Sequence, residues 1–155
     1  MLVHGVGPGL VCVETVDRLK VAKALNQAVA SSLTRSKIPL GIMLQVNTSG
    51  EDSKSGCDPA EAPGLAKEIV DSCPHLTLAG LMTIGAPREL APEEDDPDFV
   101  KLAEVRQAVA GLVGVPPDSL ELSMGMSGDW ERAIRQGSTS VRVGSAIFGA
   151  RSYPA

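Results

Sequence analysis

At 155 residues the chain has the length of one domain, enough to bury roughly two-thirds of its unfolded surface. A formal net charge of -5, no basic run, and aromatics limited to Phe99, Trp130, Phe148 and Tyr153 argue against a nucleic-acid partner, which needs clustered Lys/Arg and stacking platforms. Dispersed Cys12, Cys57 and Cys73 with only His4 and His75 assemble no zinc set, and no apolar run reaches transmembrane length, so a reducing, cytoplasmic location off the membrane is expected.

Residues 1–9 are rich in Gly and Pro, without period, and read as an irregular lead-in that lacks a signal peptide's positive start. The apolar run 10–14 (LVCVE) predicts a buried strand. An N-cap within 15–17 then opens a helix over 18–33, with Leu19, Ala22, Leu25, Val29 and Leu33 on one face. Residues 36–39 read as a linker. A second strand is predicted at 40–47 and ends in the polar loop 48–56 (TSGEDSKSG). Asp58 and Pro59 start a helix that runs to about Ser72, and Pro74 follows it.

The third strand is predicted at 76–84. The acidic, proline-rich segment 85–97 reads as mobile and solvated. A helix then runs from Pro97 to Leu112, with Leu102, Val105, Val109 and Leu112 on its apolar face. A strand at 120–124, a short helix at 129–136, a strand at 139–143 and a short terminal helix complete the chain. Strands alternating with helices at this spacing imply parallel pairing through right-handed crossovers. Polar and Gly-rich residues gather at the C-terminal ends of the strands, the functional face of α/β folds.

Two Gly/Ser segments stand out, SMGMS (Ser123, Met124, Gly125, Met126, Ser127) and VGSAIFG, which contains Gly144 and Ser145. Each follows an apolar run and is expected to form a turn opening a helix. Gly allows close backbone approach, and the hydroxyls of Ser127 and Ser145 either cap helices or donate to phosphate oxygens. Arg142 lies inside an otherwise apolar strand, where an unpaired charge is costly to bury. Its partner is either a core carboxylate, Glu14 or Glu121, or a ligand heteroatom. Lys54 sits in a Gly/Ser loop and reads as solvated rather than as a covalent amine. Gln45 and Asn47 either line a pocket or are satisfied in a polar layer; Met82, Met124 and Met126 read as packing. The chain has no GxxxxGK[ST], GxGxxG or GxSxG motif.

Six stretches carry a resemblance: VETVD, QVNTSGEDSKSG, GLMTIG, PDFVKLAEVR, LELSMGMSGDWERAIRQGST and VRVGSAIFGAR. Together, over about residues 10–153, they resemble the pyridoxal phosphate homeostasis protein (YggS/PROSC) family. The resemblance implies a TIM (β/α) barrel of the alanine racemase N-terminal domain type. It also implies a non-catalytic role in buffering and delivering pyridoxal 5′-phosphate (PLP). Cofactor-binding positions carried over are Ser123, Met124, Gly125, Met126, Ser127, Gly144 and Ser145 at the phosphate and Arg142 near the pyridine nitrogen. Members reach the cytoplasm and also mitochondria.

The family's first three β/α units, including the strand with the Schiff-base lysine, have no counterpart here. Lys20, Lys23, Lys37, Lys54, Lys67 and Lys101 stand in other contexts. The resemblance therefore implies a truncated form with five of eight strands, no covalent PLP and possible self-association through exposed strand edges. Two other functions compete with it. A racemase-like barrel enzyme would need an acid/base pair, for which Lys54 and Tyr153 are poor candidates. An interaction module would act through the open edges.

Overall fold

The alternating runs form five strands among the described residues of the computed structural model, which are 9–32, 38–51 and 53–149. The 1–8 lead-in, the predicted helix end at Leu33, Lys37, Arg151 and Tyr153 lie outside them. The strands are β1 (Cys12–Val16), β2 (Leu40–Gln45), β3 (Leu76–Met82), β4 (Glu121–Met126) and β5 (Ser140–Arg142). The helices are α1 (Leu19–Ala30), α2 (Ala62–Ser72), α3 (Pro97–Val113), α4 (Trp130–Arg135) and α5 (Ser145–Phe148). None of the described helices is long and apolar enough to cross a membrane.

The strands pair in parallel in the order β1-β2-β3-β4-β5. Each crossover adds its strand on the same side. Uniform right-handedness then puts the helices on one face, and the sheet curls away from them. Val16, Ile42, Leu44, Val46, Leu81, Leu122 and Met124 form the helix-side core with Ala22, Ile69, Phe99, Leu102, Val109 and Ala133. Alternation turns Met43 and Gln45 to the concave side. Their neighbours there, through strand register, are Gly80, Met82, Glu121, Ser123 and Ser140.

The curl is measured by one contact: the Ser123 hydroxyl of β4 lies 2.7 Å from the Glu14 carboxylate of β1. In a flat sheet those strands would stand about 14 Å apart, three spacings of about 4.8 Å. The architecture is a partial TIM barrel, five strands where a closed one has eight.

Several boundaries differ from the sequence-based expectation. The first strand begins at Cys12, where pairing with Gly41 starts, and leaves Val11 77% exposed. The N-cap of α1 is the extended Arg18; Asp17 instead accepts from its Nε at 2.8 Å. Asp58 closes a turn by accepting from the Ala60 N–H at 2.7 Å, and α2 starts only at Ala62 with Pro63 in its first turn. Leu112 is exposed, because the buried stripe of α3 runs through Phe99, Leu102, Val109 and Ala110 and leaves Leu112 at its rim.

The segment 85–97 is anchored rather than merely solvated. Arg132 Nη2 donates to the carbonyls of Leu90 at 3.1 Å and Ala91 at 3.0 Å, and Arg135 donates to that of Pro92. The Gln136 amide pairs with both backbone groups of Asp96. Asp98, 2% exposed, accepts from the Ala86 N–H at 2.7 Å and from Arg88 at 3.0 Å. Burial pushes the Asp96 carboxyl above its ordinary value.

Two outcomes are expected. Replacing Arg132 and Arg135 together by Ala should speed limited proteolysis within 85–97 by about tenfold while the unfolding midpoint moves little, since those bonds hold a local unit. Among the described residues β1 pairs only with β2 and β5 only with β4, which leaves the outer side of each unpaired there. Sedimentation and denaturant unfolding should show self-association or a stability below about 5 kcal/mol; a monomer with a single transition well above that value would contradict it.

Candidate functional site

The C-terminal ends of β3, β4 and β5 bring the polar groups together. Arg142, half-buried, donates from Nη1 to the Ser123 hydroxyl at 2.6 Å and from Nη2 to the Thr83 carbonyl at 2.7 Å. The Ser123 hydroxyl donates in turn to Glu14 Oε2 at 2.7 Å. Thr83 is itself pinned: its hydroxyl donates to the Val46 carbonyl at 3.0 Å, so the 2.8 Å contact with Thr48 is donated by Thr48. Burial pushes the Arg142 guanidinium below its ordinary value, while Glu14 and then Asp129 act in the opposite sense.

Of the two partners open to Arg142 from sequence, the carboxylate is Glu14, reached through Ser123. Burial, followed by Glu14 and Glu121, raises the Cys12 thiol above its ordinary value. Glu14 was visible in the sequence only as one of two acidic candidates. Thr83 and Thr48 carried no signal beyond polar residues near a strand end.

A second cluster lies where β4 and β5 end. The Ser127 hydroxyl accepts from the backbone N–H of Gly144 at 3.0 Å and of Ala146 at 3.3 Å. It thereby caps the single turn of α5 from outside; Ser145 makes no side-chain cap. Two accepted bonds leave the hydroxyl its own proton to donate. Among the described residues a Cβ built on Gly144 meets nothing within 4 Å. The Gly144 and Ala146 N–H groups are taken up by Ser127, so the donor this cluster offers is the Ser127 hydroxyl proton.

The segment SMGMS is not a turn. Residues Ser123, Met124, Gly125 and Met126 belong to β4, and only Ser127 begins the turn. Gly125, with φ of 94°, sits where the β4–β5 register slips between Ser123 and Met126, as the left-handed glycine of a β-bulge does. A Cβ there would stand 2.5 Å from the Ala133 Cβ, so this glycine also lets α4 pack onto the sheet. Met124 is fully buried in the helix-side core, and Met126 is exposed. The structure thus unites Ser127, Gly144 and Ser145 at one spot and Ser123 with Arg142 at another.

Other candidates have structural partners. Lys54 Nζ donates to the Gly85 carbonyl and lies 3.2 Å from Glu51. Gln45 donates to the Ser55 carbonyl at 2.9 Å, and Asn47 to that of Glu51 at 3.0 Å, so both shape the 48–56 loop. Met82 is buried. A cavity of about 540 Å³ lies between α1 and α2, away from both clusters; Asp17, Asp58 and Glu61 line it and disfavour an anion. Cys57, at its wall, is pushed up to about 12 by burial and stays a thiol at neutral pH. Among the described residues no group of three His, Cys, Asp or Glu could hold a metal ion.

The family model for the alanine racemase N-terminal domain matches residues 10–152, and the chain belongs to that family. The curated proteins it resembles are named pyridoxal phosphate homeostasis proteins. It is 49% identical over 146 residues to the one from Caenorhabditis elegans, covering 94% of this chain and 59% of that protein. To the human protein it is 43% identical over 148 residues, covering 94% and 52%. The chain therefore spans little more than half the length of these curated relatives. Among solved structures, an unknown protein from Bifidobacterium adolescentis superposes with a TM-score of 0.78 at 40% identity, covering 94% of this chain and 56% of that one. PipY of Synechococcus elongatus, solved without PLP, does so with 0.67 at 32%, covering 89% and 61%. Alanine racemase from Corynebacterium glutamicum, at 18% identity and a TM-score of 0.56, shares the fold.

Gly125→Ala tests the bulge. The positive φ and the close approach of Ala133 act together, so a loss of about 2 kcal/mol or more in unfolding free energy is expected. An unchanged denaturation midpoint would show that the bulge has relaxed.

Proposed function

We propose that this chain binds PLP non-covalently through its phosphate and serves the intracellular handling of that cofactor rather than a catalysed reaction. The observation carrying this reading is the Ser127 hydroxyl, held by the Gly144 and Ala146 N–H groups with its own proton left to donate, beside a Gly144 whose Cβ position meets no described residue within 4 Å. The names of the similar proteins point to the same cofactor. Ser127, Gly144 and Ser145 form the phosphate end. The bulged backbone of Met124, Gly125 and Met126 frames it, and Ser123 and Arg142 stand on the concave side.

Bound PLP supplies an electrophilic aldehyde on an electron-withdrawing pyridine ring. A guanidinium has donors only and does not give up its proton. Arg142 beside a ring nitrogen therefore offers a hydrogen bond without protonating it, and the ring remains a poor electron sink. That suits holding the cofactor rather than using it. Lys54, tied to Gly85 and Glu51, is not free to act as a base or an attacking amine. A second reading, an interaction module, is favoured by apolar surface beside the two outer strands: Val11 near β1 and Phe148 after β5 are 77% and 85% exposed.

Equilibrium binding of inorganic phosphate, PLP and pyridoxine 5′-phosphate tests the proposal. Gly144→Val should weaken all three by at least about tenfold, because the new side chain fills the space an anion would use; its φ of -122° suits any residue, so folding should be preserved. PLP and pyridoxine 5′-phosphate should bind alike, since neither needs a lysine. Unchanged affinity in folded Gly144→Val moves the site elsewhere, and a borohydride-stable label at one lysine refutes non-covalent binding.

A further inference from the structure

We propose that Ser123 and Glu14 are positioning residues for Arg142, so that Ser123 serves the ring end of the site and not the phosphate end. The ligand's identity rests on the PLP reading above; the positioning itself does not. Ser123 is fully buried, and its only proton goes to Glu14 Oε2 at 2.7 Å. The hydroxyl therefore has no hydrogen left for a phosphate oxygen. Its lone pair takes the Arg142 Nη1 bond at 2.6 Å, giving a chain that runs from guanidinium through hydroxyl to carboxylate. Each link is assisted by charge and polarises the next.

The second Nη is held by the Thr83 carbonyl at 2.7 Å. With one Nη anchored on β4 and the other on the residue that follows β3, the guanidinium plane cannot turn about its Cζ–Nε bond. Two donors are committed and three N–H groups remain for a ligand. Glu14 comes from β1, three strands from Ser123, so the anchor exists only while the sheet is curled. The relay thus couples the closure of the half-barrel to the aim of Arg142.

The experiment uses the full 155-residue chain as wild type, Ser123→Ala, Ser123→Thr, Glu14→Gln and Ser127→Ala, each checked for folding by circular dichroism. The first readout needs no ligand. In ¹⁵N–¹H NMR the Arg142 Nη groups should give separate, slowly exchanging signals in wild type. They should collapse to one in Ser123→Ala and in Glu14→Gln, and Ser123→Thr, which keeps the hydroxyl, should restore them. The second readout compares inorganic phosphate with pyridoxine 5′-phosphate. Ser123→Ala should weaken pyridoxine 5′-phosphate roughly tenfold more than phosphate, the scale of one hydrogen bond to a charged group, whereas Ser127→Ala should weaken both by the same factor. Equal weakening of both ligands by Ser123→Ala would return Ser123 to the phosphate end, and averaged Nη signals in wild type would overturn the relay. If wild type binds neither ligand, the PLP reading fails while the Nη signals still decide the positioning.

Discussion

A guanidinium inside a parallel sheet has to be solvated by protein, and the concave side of this chain is arranged around that need. Arg142 draws on β1, β3 and β4 at once, through Glu14 by way of Ser123 and through the Thr83 carbonyl. Its half-buried position makes these protein partners a substitute for part of its water. Removing Ser123 would break the link between Arg142 and Glu14 and leave Arg142 the Thr83 carbonyl. The same network holds β1 and β4 together across the interior, although the sheet ladder never brings them side by side.

Glycine acts in two opposite ways at the neighbouring strand ends. At Gly125 the missing side chain is used up: Ala133 of α4 fills the volume, and the positive φ carries the bulge. At Gly144 the position a side chain would take meets no described residue within 4 Å. The first fastens α4 to the sheet; the second leaves the end of β5 uncrowded by described residues. α4 in turn carries Arg132 and Arg135, which hold the 85–97 segment by its carbonyls. The bulge, the helix and that segment form one mechanical unit beside the Ser127 cluster.

The order and type of elements were legible in the sequence because they depend on local period. Leu102, Val105 and Val109 recur as a helix face and are buried; the apolar runs before each Gly/Ser segment became strands. The family was legible because six collinear motifs survive as written strings. Strand and helix ends drifted by a few residues where capping departed from the usual side-chain pattern, as at Arg18 and Asp58.

Sequence alone determined the alternating parallel architecture, the positions of the two Gly/Ser segments and the need of Arg142 for a partner. Only the tertiary structure decided what each residue of those segments faces. A register slip of one residue turns every following side chain to the other side of a sheet. The bulge at Gly125 is such a slip, and no local pattern announces it. Alternation divides SMGMS into a buried Ser123 bound to Glu14 and a Met124 in the helix-side core, and past the bulge Ser127 meets the amides of Gly144 and Ala146. The choice of Glu14 over Glu121 depended on curvature, because contact between residues 109 positions apart arises only when the sheet bends far enough to close it.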